Sequence, residues 1–543
     1  MLTNAQLIAA ALKEQGVQYV FGVPGGEVLD LIEAMQEIGI RFVLVRHESA
    51  AAFMADALFC LTGIPGVVLT TLGPGAANAM LGMANAYLER SAVIILTGNV
   101  STSQLPPYTH QVIDVERMFA PVCKWSHTLS AESAASAVRN AVNIALSGVP
   151  GPVHLNVPMD VAKKPATSVY AGLSGRVVSD TQMAPGSEQC IVERLRSASR
   201  PLAVVGVGAL LSGSAHELKE FAEAWQVPCV TTYKAKGIIP EDHPLSLGAA
   251  GLSGVVDKKV FGLVERSDLI LTIGFDAVEM RSAWVDCWPA EKVVRLDETA
   301  DVHLVYGSGV EVVAHLPSVL AQLTHAAKNR EYVREPSPRA ICRAHREDVS
   351  SCLAAAARCG QAGMSPYAAI RVLREVFPKD TIATADTGAH RILLNHAWDC
   401  YQAPGLLQST GLGSMGVGMP YAVGAKIASP NRPVVAFVGD AGLLMYPGDL
   451  SVAVGLGLAI TVVVFSDNVL SLIALKQQRE AKQEAGVRLG RTDFVKLAEA
   501  LGGTGTSVST EHELRTAAQQ ALKSVGVNLI EVRIDPTEYG AQV

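Results

Sequence analysis

Short apolar runs, each closed by turn residues and set apart by a helix-length segment, constrain this fold more than any other feature of the sequence. In the first third they lie at 18–22, 40–45, 66–71 and 92–98. Runs of this length suit strands and the stretches between them suit helices, so the alternation predicts a mostly parallel sheet wrapped by helices. The rhythm returns at 201–208, 267–274 and 291–297, and again at 381–386, 433–440, 459–467 and 527–534. A chain of 543 residues is too long for one core. The expectation is therefore three doubly wound α/β domains with mostly parallel sheets, over 1–165, 189–330 and 363–543. The weakly periodic stretch 166–188 reads as one linker, and the charged, alanine-rich stretch 331–362 as the other.

Composition removes several classes of function. Charged residues make up 17% of the chain and the net charge is −7, with no Lys/Arg cluster to serve as a nucleic-acid footing. No apolar stretch of about 18–20 residues reads as a membrane span. The N-terminus lacks the basic and apolar regions of a signal peptide. The nine cysteines form no Cys-x-x-Cys pair, which fits reduced thiols and a cytoplasmic protein.

One βαβ segment carries chemistry. The run 434–439 ends in Gly439-Asp440, and the next run ends in Ser466-Asp467-Asn468. A right-handed crossover puts both strand ends on one sheet edge, where open α/β sheets bind ligands. Two carboxylates brought together there repel unless a cation sits between them, and Mg²⁺ takes oxygen ligands together with phosphate oxygens. Gly439 and Gly442 would let backbone N–H groups approach a phosphate. The alternative is that both acids are helix caps or surface turns. Likewise Glu48, between a strand and an apolar helix, reads on position alone as an acid complementing a helix dipole. Gly411-Leu-Gly413-Ser-Met415-Gly416-Val-Gly418 matches GxGxxG, but no clear strand precedes it.

Gly439-Asp440-Ala441, with Asp467 twenty-seven positions further on, resembles the signature of thiamine diphosphate-dependent enzymes. Ala441 stands in place of its third glycine and Ser466-Asp467 in place of its asparagine pair. The resemblance is closest to acetolactate synthase-like members, of the large catalytic subunit type, and spans nearly the whole chain. It implies pyrimidine-binding, central and pyrophosphate-binding domains, thiamine diphosphate and Mg²⁺ as cofactors, and Asp440, Asp467 and the Val469 carbonyl as metal ligands. It implies that Glu48 hydrogen-bonds N1′ of the aminopyrimidine and drives the tautomer that deprotonates C2. Gly73, Pro74 and Asn78 match a Gly-Pro-Gly turn near the cofactor. Gly388 and His390 match a diphosphate-touching segment, in which Ala389 replaces a glutamine. Gly413 and Met415 match the stretch whose bulky side chain wedges between the cofactor rings. Gly439, Asp440, Ala441, Gly442 and Asp467 complete the cofactor set.

On the same resemblance His47 and Gln111 are substrate-side catalytic candidates, and Gly25, Leu472 and Lys476 substrate contacts. Flavin-containing relatives carry a Gly-Ala-Arg-Phe-Asp-Asp-Arg stretch where this chain reads Gly274-Phe-Asp-Ala-Val-Glu279-Met280, so no flavin requirement is expected. Gly206 and Gly208 lack the third glycine of a dinucleotide fingerprint, which leaves the central domain structural or a relic of nucleotide binding. The resemblance also implies a homodimer or homotetramer with active sites between subunits. The expected reaction is decarboxylation of a 2-oxo acid such as pyruvate, with or without carboligation. The alternatives are a lyase or synthase using an acyl-CoA or sugar phosphate, like carboxyethylarginine synthase, or a non-catalytic nucleotide-binding protein of the same fold.

Overall fold

The computed structural model describes residues 2–105, 109–166, 181–302, 305–328, 332–357 and 363–543. It contains three six-stranded sheets in which every strand pair is parallel. The first comprises β1 (Tyr19–Val23), β2 (Arg41–Leu44), β3 (Gly66–Thr70), β4 (Val93–Asn99), β5 (Trp125–Thr128) and β6 (Val153–Pro158). The second comprises β7 (Pro201–Val205), β8 (Cys229–Thr232), β9 (Ser246–Ala250), β10 (Leu269–Ile273), β11 (Val293–Asp297) and β12 (Val310–Val313). The third comprises β13 (Ile382–Ala385), β14 (Leu406–Gln408), β15 (Val434–Gly439), β16 (Ile460–Ser466), β17 (Thr504–Val508) and β18 (Val527–Arg533). Among the described residues antiparallel pairing is confined to isolated bridges such as Thr3–Pro165 and Val469–Arg488.

The strand orders locate the crevices. The first sheet runs β2-β1-β3-β4-β6-β5 and the third β14-β13-β15-β16-β18-β17. In both, the chain moves one way from the first strand and then returns to the other side, so the order reverses between β1 and β3 and between β13 and β15. Crevices open at the carboxyl ends of strands at such reversals. The central sheet, β12-β11-β10-β7-β8-β9, reverses between β7 and β10.

The first and third domains share one apolar cluster, containing Phe53 and Met54 alongside Ala422 and Val423. The helix Glu48–Thr62 joins them. It starts on His47, whose Nδ1 accepts the Ser49 N–H at 3.2 Å, and stops at Gly63, which takes the left-handed φ of +68°. Its residues 48–59 are all buried, because small side chains let it pack on both sides. The helix Gly418–Ala428 approaches so closely that a Cβ on Gly424 would lie 2.4 Å from the Met54 carbonyl oxygen.

Seven of these strands, β5, β6, β8, β9, β12, β14 and β17, are absent from the apolar-run reading. The hydrogen-bonded β17 reads Thr-Gly-Thr-Ser-Val, and β14 has three residues. The existence of β14 corrects the view that no strand precedes the glycine stretch 411–418. Residues 167–180 of the expected first linker lie outside the described residues, while the second stretch contains the helix Pro338–Ala356. Among the described residues no helix is long and apolar enough to cross a membrane. The eight described cysteines are free thiols.

Candidate active site

Glu48 opens its helix immediately beyond β2 and is 6% exposed. Its Oε2 accepts the side-chain N–H of Asn78 at 3.0 Å. Asn78 belongs to the helix Gly73–Leu88, which follows β3 and begins with Pro74 in its first turn, where a missing N–H costs nothing. A Cβ on Gly75 would sit 3.2 Å from Glu48 Oε1, and one on Gly73 would sit 2.2 Å from the Gln111 carbonyl oxygen. Gln111 itself is exposed and left-handed, at φ +60°. His47 packs edge-on against Tyr446, centroids 5.4 Å apart. With Nδ1 accepting from Ser49, the proton of the neutral ring falls on Nε2.

Glu27, beyond β1, was missed as a site residue. Its Oε1 accepts the Leu72 N–H at 2.8 Å and the Thr71 hydroxyl, so it spans the β1–β3 reversal. A Cβ on Gly25 would meet Thr71 Oγ1 at 2.3 Å and Glu27 Oε1 at 2.7 Å.

The other half lies at the β13–β15 reversal. Asp440, 5% exposed, opens the short helix Asp440–Met445; its Oδ1 accepts the Ala441 N–H at 2.7 Å, and its Oδ2 the N–H groups of Asn468 at 2.7 Å and Asp467 at 3.3 Å. Asp467 accepts from the Val469 N–H at 3.0 Å and from the Ser471 hydroxyl. The tight reversal is supplied by Asn468, at φ +57°, a conformation Asn tolerates. Ala441 is helical, so the missing glycine costs no backbone strain. Burial raises the pKa of Asp440, and burial, reinforced by the neighbouring Asp440, pushes Asp467 up to about 6.

Two acids crowded in this way fit a cation. Among the described residues no three His, Cys, Asp or Glu side chains converge on one point. Two carboxylates plus the Val469 carbonyl, which already accepts the Ser471 N–H at 2.9 Å and keeps a second lone pair, leave the rest of a Mg²⁺ shell to diphosphate and water. Nearby, Asp386 Oδ2, Thr387 Oγ1 and His390 Nε2 are buried without a hydrogen-bond partner. Such groups in native proteins call for a partner, and a polar ligand at this crevice supplies one.

Asp386 was also missed, although it ends its strand as Asp440 does. Its Oδ1 accepts the N–H groups of Thr387 at 2.8 Å and Gly416 at 2.7 Å, and burial pushes it up to about 7. Burial brings His390 down to about 3, so its ring is neutral. Gly388 is extended and keeps clear of that ring, which its Cβ would meet at 2.7 Å; one on Gly439 would lie 3.4 Å away. Gly413 and Gly416 take φ of +68° and +84° around half-buried Met415. Leu472 and Lys476 lie a turn apart on the helix Ser471–Arg479, Leu472 half-buried and Lys476 exposed.

A Cβ on Gly442 would fall 1.6 Å from Asp386 Oδ2, whereas around Gly455 there is nothing within 4 Å. Gly442→Ala is therefore expected to cost about 1–3 kcal/mol, read as a fall in Tm, with Gly455→Ala as an unaffected control.

The residues thus gather into two sets. Gly25, His47, Glu48, Gly73, Pro74, Asn78 and Gln111 lie at the first sheet's edge. Gly388, His390, Gly413, Met415, Gly439, Asp440, Ala441, Gly442, Asp467 and Val469 lie at the third's, with the Leu472 helix following. No hydrogen bond or ion pair among the described residues joins Glu48 to Asp440 or Asp467.

Paired α/β domains with an acid at each sheet's reversal, flanking a third, describe the architecture of thiamine diphosphate-dependent enzymes. Residues 2–118, 189–323 and 386–532 match, in turn, the N-terminal TPP binding domain, the central domain and the C-terminal TPP binding domain of thiamine pyrophosphate enzymes. The chain is 30% identical over 539 residues to an acetolactate synthase of Bacillus subtilis, covering 98% of this chain and 93% of that one. It is 31% identical over 564 residues to the acetolactate synthase isozyme 3 large subunit of Escherichia coli, covering 99% and 96%. It is 30% identical over 569 residues to a probable acetolactate synthase large subunit of Methanocaldococcus jannaschii, covering 99% and 93%. The chain belongs to the acetolactate synthase-like thiamine pyrophosphate enzymes, and is a thiamine diphosphate-dependent carboligase or decarboxylase.

Proposed function

We propose that this enzyme decarboxylates a 2-oxo acid, pyruvate first among the candidates, with or without condensation onto a second carbonyl compound. The observation that carries this reading is the buried Glu48, held by Asn78 at the first crevice in a chain whose relatives over nearly their full length are acetolactate synthases. Bound thiamine diphosphate supplies an electron sink beside a carbonyl carbon.

The chain's own groups divide the remaining work. Glu48 holds and returns a proton at N1′ of the aminopyrimidine as a positioned acid–base group. Asp440, Asp467 and the Val469 carbonyl hold Mg²⁺. The turns at Gly388, His390 and Gly439–Gly442 receive the diphosphate, and Gly73, Pro74, Asn78, Gly413 and Met415 shape the space for the rings. His47, Gln111, Gly25, Leu472 and Lys476 face the substrate, with His47 Nε2 as a hydrogen-bond donor. In the central domain, the Val207 N–H that a nucleotide phosphate would use is bonded to Glu279 at 2.9 Å, which supports a structural role and no flavin requirement.

Each proposed domain range, 1–165, 189–330 and 363–543, encloses one whole sheet. The two site halves come from different subunits of a homodimer or homotetramer. Exposed Leu44, Leu81, Leu444 and Met445, on elements that carry these halves, support such an interface.

Carbon dioxide release from pyruvate and longer 2-oxo acids, with and without aldehyde or 2-oxo acid acceptors, tests the assignment. Release that requires thiamine diphosphate and Mg²⁺ is expected. Tight cofactor binding with no release from any 2-oxo acid would overturn it in favour of an acyl-CoA or sugar phosphate donor.

A further inference from the structure

Glu89 stands where helix electrostatics disfavour an acid. It caps the carboxyl end of the sixteen-residue helix Gly73–Leu88, the negative end of its dipole, and is 2% exposed. Its partners explain its presence. Oε1 accepts two successive backbone N–H groups, Thr410 at 2.5 Å and Gly411 at 2.7 Å. Oε2 accepts the Thr410 hydroxyl at 2.7 Å and the Lys234 ammonium at 2.7 Å, and that ammonium also reaches the Glu89 carbonyl. Lys234 belongs to the central domain and Thr410 to the third, so three domains meet on one carboxylate.

The loop so held is the one that carries Met415. Its start rests on the helix end, since a Cβ on Gly411 would meet Leu88 Cβ at 2.7 Å. The Ser409 hydroxyl donates to Asn85 at 2.7 Å and accepts the Ser414 N–H at 2.9 Å. Its far end is tied by the Gly416 N–H to Asp386 at 2.7 Å. Residues 412–415 arch between a first-domain anchor and a third-domain anchor. We propose that Glu89 is a positioning residue for this arch, and that the central domain acts on the cofactor site by supplying Lys234 as its counter-ion. The proposal rests on the reading of Met415 as the side chain that supports the cofactor rings.

Glu89→Gln alone would take from buried Lys234 the one carboxylate it is hydrogen-bonded to, leaving only the electrostatic influence of Asp56, a severe destabilisation. The double variant Glu89→Gln/Lys234→Met removes both charges and keeps one acceptor. Three quantities are read on the full-length protein: amide hydrogen exchange over 409–416 without cofactor, C2 proton exchange of thiamine diphosphate at saturating cofactor and Mg²⁺, and Tm. The Thr410 and Gly411 amides are expected to exchange at least about tenfold faster, and C2 exchange to slow by about ten- to a hundredfold, as a small misplacement near reacting atoms does. Thr410→Val, which cuts only the hydroxyl bond, shifts both rates in the same directions by smaller factors and serves if the double variant does not fold. Unchanged C2 exchange, with or without faster amides, overturns the proposal and leaves Glu89 a structural tie. Met415→Ala separates the premises: if it leaves C2 exchange unchanged, the reading of Met415 has failed instead.

Discussion

Glu48→Gln is expected to lower turnover and C2 proton exchange by about 10²–10⁴-fold, the usual contribution of a positioned acid–base group. The substitution is close to isosteric. The carbonyl of the introduced amide still accepts the Asn78 N–H that Glu48 Oε2 accepts, and the first turn of the buried helix keeps its packing. Affinity for thiamine diphosphate should therefore change by only a few-fold, and Tm little. The measurement is steady-state turnover on the best 2-oxo acid beside the exchange rate at saturating cofactor. A loss of binding in place of the rate would make Glu48 a packing residue; an unchanged rate would remove it from the chemistry.

The second large effect is on the metal. Asp440 accepts three backbone N–H groups and faces Asp467, so Asp440→Ala is expected to remove the proposed Mg²⁺ ligand and to free the turn at Asn468. Thiamine diphosphate with Mg²⁺ stabilises a folded protein that binds it by mass action. The wild type stripped by a chelator should regain both activity and the cofactor-induced rise in Tm when Mg²⁺ returns. Asp440→Ala should show neither, with apparent cofactor affinity down by about a hundredfold or more. Recovery equal to the wild type would show that the metal sits elsewhere.

Legibility in the sequence followed the physics of each element. Strands buried on both faces, such as β4 and β16, are continuous apolar runs and were plain. Among those missed, β5 reads Trp-Ser-His-Thr and β17 is half polar, held by neighbours along the sheet rather than by intrinsic patterning, while β6 is buried throughout but has its apolar run broken by His154 and Asn156. The strand-end acids Asp440 and Asp467 were visible because a crossover obliges both to emerge on one edge. Glu27 and Asp386 escaped notice, because their significance lies in which N–H groups they accept from segments distant along the chain, Leu72 and Gly416. Glu89 was hidden for the same reason: its partners come from positions 234, 410 and 411. Gly442 looked like a phosphate-binding glycine, whereas its missing side chain also makes room for Asp386.

The central claim is that the Glu48 edge of one subunit and the Asp440 edge of another act on a single cofactor. Mixing Glu48→Gln with Asp440→Ala protein and allowing subunits to exchange tests it directly. With shared sites, each mixed dimer carries one doubly altered site and one intact site, so random exchange should restore about a quarter of wild-type activity from two nearly inactive proteins. Persistent inactivity, with exchange verified by mass, would place Glu48 and Asp440 of one chain in the same site and contradict the account.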